Sequence, residues 1–256
     1  MSHIITKTDN ELILKRRKKV KIKRVFMLMV FLIALFFILC LKLPYFNIKY
    51  IKVYGNKSIS SNSIIEDSKV YGGSNIFYTN LKDASENILE NPYIEDVDIA
   101  RELPGTININ VKEREATFYI ESSRKYFIID KNGVLLQRRD NINNMKLVKL
   151  NGIDCNKVKL GECILNKDDN KIKAVTTLGS IIQNNKLPFE ITYIDVSNSV
   201  DIKIYFKDMC VELGQGDNLG KKVNRALNIM LNEKLGSARG YIDVRFDGNP
   251  VFHIEN

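Results

Sequence analysis

The chain has 256 residues, 45% hydrophobic and 27% charged, a composition that belongs to folded proteins and excludes general disorder. The net charge is +9, yet residues 1–24 hold nine Lys/Arg against two acids, and the other 232 hold 30 against 28. The excess therefore belongs to one terminal segment. No basic face is left on the rest of the chain to take a nucleic acid.

In chain order, the basic segment 1–24 runs into Val25–Leu41, 17 apolar residues without a charge, Gly or Pro. As a helix they span about 26 Å, and Lys42 (which can snorkel) with Leu43 brings the length close to the ~30 Å hydrocarbon core. One transmembrane helix over 25–43 is expected. The flanking Lys/Arg cluster predicts a cytoplasmic 1–24 and extracytoplasmic 44–256, a single-pass type II arrangement. A cleaved signal peptide fits less well, because "LCLKLPY" offers no small-residue cleavage site. A lipoprotein signal at Cys40 conflicts with the bulky Phe37, Ile38 and Leu39 before it. Cys155 and Cys163 could pair across a short loop, leaving Cys210 odd. The favoured alternative is buried free thiols, and their spacing does not suit zinc.

Pro44 stops the helix. A strand is predicted over 46–54, ending at Gly55–Asn56. A helix capped by Ser60, with Ile64, Ile65 and Val70 as its apolar contacts, follows and ends at Gly72–Gly73. A second helix is capped by Asn80, carries Leu81, Ala84, Ile88 and Leu89 on one face, and closes at Pro92. Two strands, 94–102 and 106–113, are joined by "LPGT", where Pro104–Gly105 suits a type II turn. In the second strand Ile107, Ile109 and Val111 alternate with Asn108, Asn110 and Lys112, so one face is buried and the other wet.

From Glu115 the pattern becomes richer in strands: 117–121, 125–130 and 134–138, with a hairpin at Asn132–Gly133, and then 146–150. A helix is expected over 168–185, with Ile172, Val175, Leu178, Ile181 and Ile182 as its stripe. Strands within 190–196, 200–206 and 209–213 precede a helix over 218–235 that ends at Gly236. Strands in 240–246 and 250–255 finish the chain. The fold class is α+β: one N-terminal transmembrane helix, a small β-α-α-β-β domain over 46–114, and a larger domain over 115–256 with a mainly antiparallel sheet.

Chemical motifs are sparse. Gly214, Gly216 and Gly220 lie between a strand and a helix, but the third glycine is one residue late for a dinucleotide loop, so a plain helix-entry turn is the better reading. His3 and His253 assemble no Ser/His/Asp set. Glu95–Asp96–Asp98 and Asp168–Asp169 read as solvated faces or helix caps rather than acid/base pairs. No catalytic, cofactor-binding or metal-binding residue is expected.

Four stretches carry a resemblance: "FNIKYIKVYGNKSIS" (46–60), "GSNIFYTNLKDASENILENPYIEDVDIARELPGTININVKERE" (73–115), "YFIIDKNGVLL" (126–136) and "GYIDVRFDGNPVFHI" (240–254). Over residues 15–256 the chain resembles the bacterial cell-division family FtsQ, called DivIB in Gram-positive bacteria. The first two stretches are similar to its polypeptide-transport-associated (POTRA) domain, the third to the start of its β domain, and the fourth to its C-terminal strands. The resemblance implies a non-catalytic divisome scaffold at the division septum. Its expected partners are FtsL and DivIC (FtsB in other bacteria), and it would help control the septal peptidoglycan synthase. It also implies a partner-binding segment at Phe246, Asp247, Gly248, Asn249, Pro250, Val251, Phe252, His253 and Ile254. Pro250 suits an edge strand, since it has no N–H for an inner ladder. The POTRA-like sheet edge could also accept a partner's strand. Two other classes compete: a membrane-anchored extracytoplasmic cell-wall enzyme, and a POTRA-bearing transport factor.

Overall fold

The computed structural model describes residues 7–164, 170–184, 187–246 and 248–255, with side chains from residue 13 onward. The chain divides into two compact units, Met1–Asn87 with Asp98–Asn110, and Ile88–Val97 with Val111–Asn256.

The first unit opens with α1, Lys7–Lys42, a single unbroken helix of 36 residues. At 1.5 Å per residue it is about 54 Å long, well beyond a bilayer core. Its stretch Ile13–Lys42 is long and apolar enough to cross a membrane, and its apolar side chains are exposed almost throughout. The basic run Lys15–Arg24 continues the same helix. Pro44 starts a 3-10 turn, Pro44–Phe46, that ends it.

The strand expected over 46–54 is shorter: β1 covers Tyr50–Tyr54. Asn47 and Ile48 spend their backbone groups on another loop instead, with Asn47 bridging Asn75 and the Ile48 N–H donating to the Ser74 carbonyl at 2.8 Å. α2, Ser61–Ser68, is capped as expected, the Ser60 hydroxyl accepting from the Ser63 N–H at 3.1 Å. It ends earlier than Gly72–Gly73, at Lys69, which turns left-handed with φ 53° while the Ser68 hydroxyl accepts from the Val70 N–H. α3, Leu81–Leu89, buries Ala84 and Ile88, but Leu89 is exposed.

β2, Ile94–Glu102, and β3, Thr106–Glu113, complete a three-stranded sheet in the order β1-β3-β2, with β1 and β3 parallel. Ile107, Ile109 and Val111 are buried as their alternation predicts. The type II turn at Pro104–Gly105 is not formed, because Gly105 lacks the positive φ that turn requires; the Leu103–Pro104 bond is cis. Gly105 is needed for another reason: a Cβ there would collide with the Asn47 carbonyl oxygen.

The second unit is built on a nine-stranded sheet. Its strands are β4 (Ala116–Ser122), β5 (Lys125–Asp130), β6 (Leu135–Arg139), β7 (Val148–Asn151), β8 (Tyr193–Asp195), β9 (Ile202–Phe206), β10 (Met209–Gly214), β11 (Gly240–Asp243) and β12 (Val251–Ile254). They run in the order β12-β11-β10-β9-β8-β7-β4-β5-β6. Five of the eight pairings among the described residues are antiparallel, and three (β4/β7, β7/β8 and β10/β11) are parallel. The sheet is therefore mixed with an antiparallel majority.

α4, Asn170–Asn184, and α5, Leu219–Asn232, supply the helical side of the core. The predicted start of α4 at 168, with Asp168 and Asp169, lies outside the described residues. α5 ends at Asn232 with Glu233 as its cap, short of Gly236. The core joins Phe118, Ile129, Leu135, Leu178, Ile194, Val211, Val223 and Met230, all buried.

One ion pair within this unit organises a hairpin. Arg114 Nη1 donates to Asp130 Oδ2 at 2.9 Å, and Asp130 Oδ1 accepts the N–H groups of Asn132 and Val134 at 2.9 and 2.8 Å. Asp130 thus shapes the Asn132–Gly133 hairpin while neutralising a half-buried guanidinium, so Arg114 and Asp130 depend on each other.

Candidate functional site

β12 lies at the end of the sheet and, among the described residues, pairs with β11 alone, in antiparallel register: Gly240 opposite Ile254, Tyr241 opposite His253, Ile242 opposite Phe252, Asp243 opposite Val251. The Glu255 N–H donates to the Arg239 carbonyl at 2.8 Å, which sets the phase of the ladder. Antiparallel pairs alternate between hydrogen-bonded and free, so His253 and Val251 turn their backbone groups toward β11. Phe252 and Ile254 turn theirs outward, away from the sheet. Pro250 falls in that same outward phase, where its missing N–H costs the sheet nothing.

The side chains of this strand are open as well. Val251 is 59% exposed, Phe252 41% and Ile254 42%, and Phe246, before the strand, is 74% exposed. Phe252 and Ile254 lie on the face of the buried Ile242, and Val251 and His253 on the opposite one. Three large apolar side chains therefore flank an unpaired backbone row.

The support beneath the edge is firm. His253 and Tyr241 hold their rings 5.8 Å apart, and they end a row that continues through Cys210, Tyr205 and Tyr193 in matched register. Gly240 has φ +150°, and a Cβ there would collide with the His253 carbonyl oxygen, so a glycine permits the close approach of β12. Arg239 and Glu255 close the far end with a 2.8 Å ion pair.

At the near end, Arg245 donates through Nη2 to Asp243 at 2.7 Å and reaches Glu212 at 3.2 Å. The Arg245 hydrogen bond holds the Asp243 carboxyl below its ordinary range, against the smaller opposing effect of burial. From α5, the Arg225 guanidinium donates to the carbonyls of Phe246 (3.0 Å) and Gly248, fastening the loop that leads into β12. Gly248 and Asn249 are exposed on that loop, and Asp247 lies outside the described residues. Arg225, Arg239 and Glu255 carry no sequence signal, since their partners are set by the fold and not by spacing.

The opposite edge of the same sheet is covered where β6 begins. The Leu135 N–H donates to the Glu162 carbonyl at 3.0 Å, the Gly161 N–H to the Leu135 carbonyl at 2.8 Å, and the Ile164 N–H to the Gly133 carbonyl at 2.8 Å. Segment 161–164 thus lies along the start of β6 and takes up the outward groups of Leu135, and Arg138 and Arg139 add charge to the strand's other end.

Other sequence features resolve into structural roles. β10, α5 and β11 form a genuine strand–helix–strand unit with parallel strands, but the glycine loop is occupied. The buried Lys222 ammonium donates to the Gln215 carbonyl at 3.3 Å and pairs with Asp217 at 3.0 Å. Glu95 pairs with Lys112 at 3.1 Å, and Asp96 accepts the Val97 N–H. Among the described residues no three His, Cys, Asp or Glu gather as a metal site. All four cysteines are free, and burial pushes the Cys155 thiol up to about 11, an inert state.

Comparison with known proteins gives the family. Residues 46–114 match the model of the POTRA domain, FtsQ-type, and residues 118–245 that of the cell division protein FtsQ/DivIB C-terminal region, which ends just before Phe246. The chain is 44% identical over 256 residues to the cell division protein DivIB of Clostridium botulinum, with all of both chains covered. It is 48% identical over 250 residues to that of Clostridium acetobutylicum, covering 97% of this chain and 99% of the relative, and 40% identical over 248 residues to that of Clostridium tetani. With both regions that follow the apolar helix matched and relatives aligned from end to end, the chain belongs to the FtsQ/DivIB family of bacterial cell-division proteins.

Proposed function

We propose that the β12 edge receives an added strand from another division protein, and that the chain works as a non-catalytic scaffold of the divisome. The observation that carries this reading is the contrast between the two ends of one sheet: segment 161–164 covers the start of β6, whereas β12 is bare and apolar. An edge left open by a soluble domain is an aggregation hazard unless a partner uses it. The outward groups of Phe252 and Ile254 would supply backbone hydrogen bonds, each worth about 1 kcal/mol net. Burial of Val251, Phe252 and Ile254 would supply most of the affinity, at about 1.5–3 kcal/mol for each fully covered side chain.

The partner is read as the extracytoplasmic part of a DivIC/FtsB-type protein, held together with FtsL, through which the chain helps control septal peptidoglycan synthesis. In this reading residues 1–24 are cytoplasmic, 25–43 span the membrane, and the domains 46–114 and 115–256 face outward at the septum. Protease added to intact wall-less cells should therefore digest residues 44–256.

The decisive test is capture of the DivIC extracytoplasmic domain by the full-length chain in detergent. Phe252→Glu places a charge on the edge without disturbing the core and should abolish capture. Val200→Glu, at an exposed apolar residue away from the edge, should bind as the unaltered protein does. Undiminished binding by Phe252→Glu sinks the assignment.

A further inference from the structure

We propose that the residues just past α1, together with the loop that clasps its end, form an aromatic foot seated in the lipid headgroup region. The first folded unit would then stand on the membrane instead of hanging from it. The last carbonyls of a helix have no partner within the helix, and here they find one in the folded unit. The Leu43 N–H extends the helical pattern to the Leu39 carbonyl at 2.9 Å, and beyond it the Asn75 side-chain amide donates to the carbonyls of Cys40 and Leu41 at 3.1 and 3.3 Å.

Asn75 is itself held, since its Oδ1 accepts the Phe77 N–H at 2.9 Å. The surrounding backbone is stitched to the chain that leaves the helix: the Ile76 N–H donates to the Phe46 carbonyl at 2.9 Å and the Gly73 N–H to the Ile48 carbonyl at 2.8 Å. This joint leaves no free linker between the anchor and the loop 73–77.

The apolar run ends at Leu41, so Asn75 sits at the level where hydrocarbon gives way to headgroups. At that level the rings of Tyr45 and Phe46 lie 5.2 Å apart, and those of Phe46 and Phe77 5.4 Å apart. Lys49 stands 5.8 Å over the Tyr45 ring. Tyr45 is 60% exposed, Phe77 37% and Tyr78 66%. Exposed rings with lysines beside the end of a spanning helix suit the bilayer interface, where an apolar ring body and a polar tip are both accommodated. Continuity with α1 is what commits this surface to lipid.

The chain contains no Trp, so one introduced Trp is a unique reporter. The full-length Phe77→Trp protein, reconstituted in phospholipid vesicles brominated high on the acyl chains, should lose most of its emission. The Tyr54→Trp protein, with its reporter at the distal end of β1, should keep its emission. Equal quenching of the two overturns the foot. Adding Asn75→Ala to the Phe77→Trp protein should restore emission while the chain still floats with the vesicles; quenching that persists overturns the role given to Asn75. Failure of the protein to float removes the anchor and the proposal with it.

Discussion

The two ends of the nine-stranded sheet face the same physical problem and solve it in opposite ways. β6 buries Leu135 and Leu136, carries two arginines, and has the outward backbone groups of Leu135 paired with segment 161–164. β12 leaves all four of its residues exposed and the outward groups of Phe252 and Ile254 unpaired by any other strand of the sheet. Both strands are short, so length is not what distinguishes them. The difference lies in what pairs alongside each strand. Residues 161–164, between β7 and α4, pair with the start of β6, whereas among the described residues no segment pairs with the outward side of β12. A covered edge is a structural wall, and an uncovered one with apolar side chains is a receptor for a strand.

The contrast can be tested first through stability. Leu135→Ala, at a fully buried position on β6, should cost about 2–5 kcal/mol, whereas Val251→Ala on β12 should stay within about 0.5 kcal/mol. Denaturant unfolding of the two variants measures this directly, and similar costs would erase the distinction between wall and receptor.

A finer test uses the phase of the β12 ladder. Ile254→Pro removes an outward N–H and should leave the unfolding midpoint unchanged while weakening partner binding about tenfold, the loss of one hydrogen bond. His253→Pro removes a bond to β11 and should instead lower the unfolding midpoint. If the two variants exchange these effects, the assigned phase is inverted.

The smallest effect is expected with acid. The folded-state pKa of Asp243 is depressed by Arg245, so its stabilising contribution is present above the unfolded value and lost as pH falls through the folded one. Below about pH 4, at a cost of no more than about 1 kcal/mol, the turn into β12 should loosen. Hydrogen exchange at Val251 and His253 should then rise before exchange at Leu135 and Gly161, whose protection rests on backbone bonds alone. Asp243→Asn should abolish the difference.

Much of this arrangement was legible in the residues. The alternation of Ile107, Ile109 and Val111 located β3, Ser60 marked the start of α2, and Asn132–Gly133 marked a hairpin, because each is a local signal with a local cause. Pro250 and the apolar residues after it identified an edge strand, since a missing N–H is a property of the residue itself. The misreadings came where distant chain intervened. The strand expected from residue 46 begins only at Tyr50, because Asn47 and Ile48 are claimed by the loop at 73–76. Leu89 satisfies the helical stripe yet stays exposed, as periodicity says which residues share a face but not how far the core extends.

By itself the sequence determined the anchor, the order of elements, the alternating faces and the family, all consequences of side-chain chemistry and of periods of two and 3.6 residues. Only the tertiary structure decided which edge of the large sheet stays open. That depends on where segment 161–164 lands and on how Arg225 fastens the loop at 246–248. Pairings of this kind join residues far apart in the chain, so no local pattern can encode them.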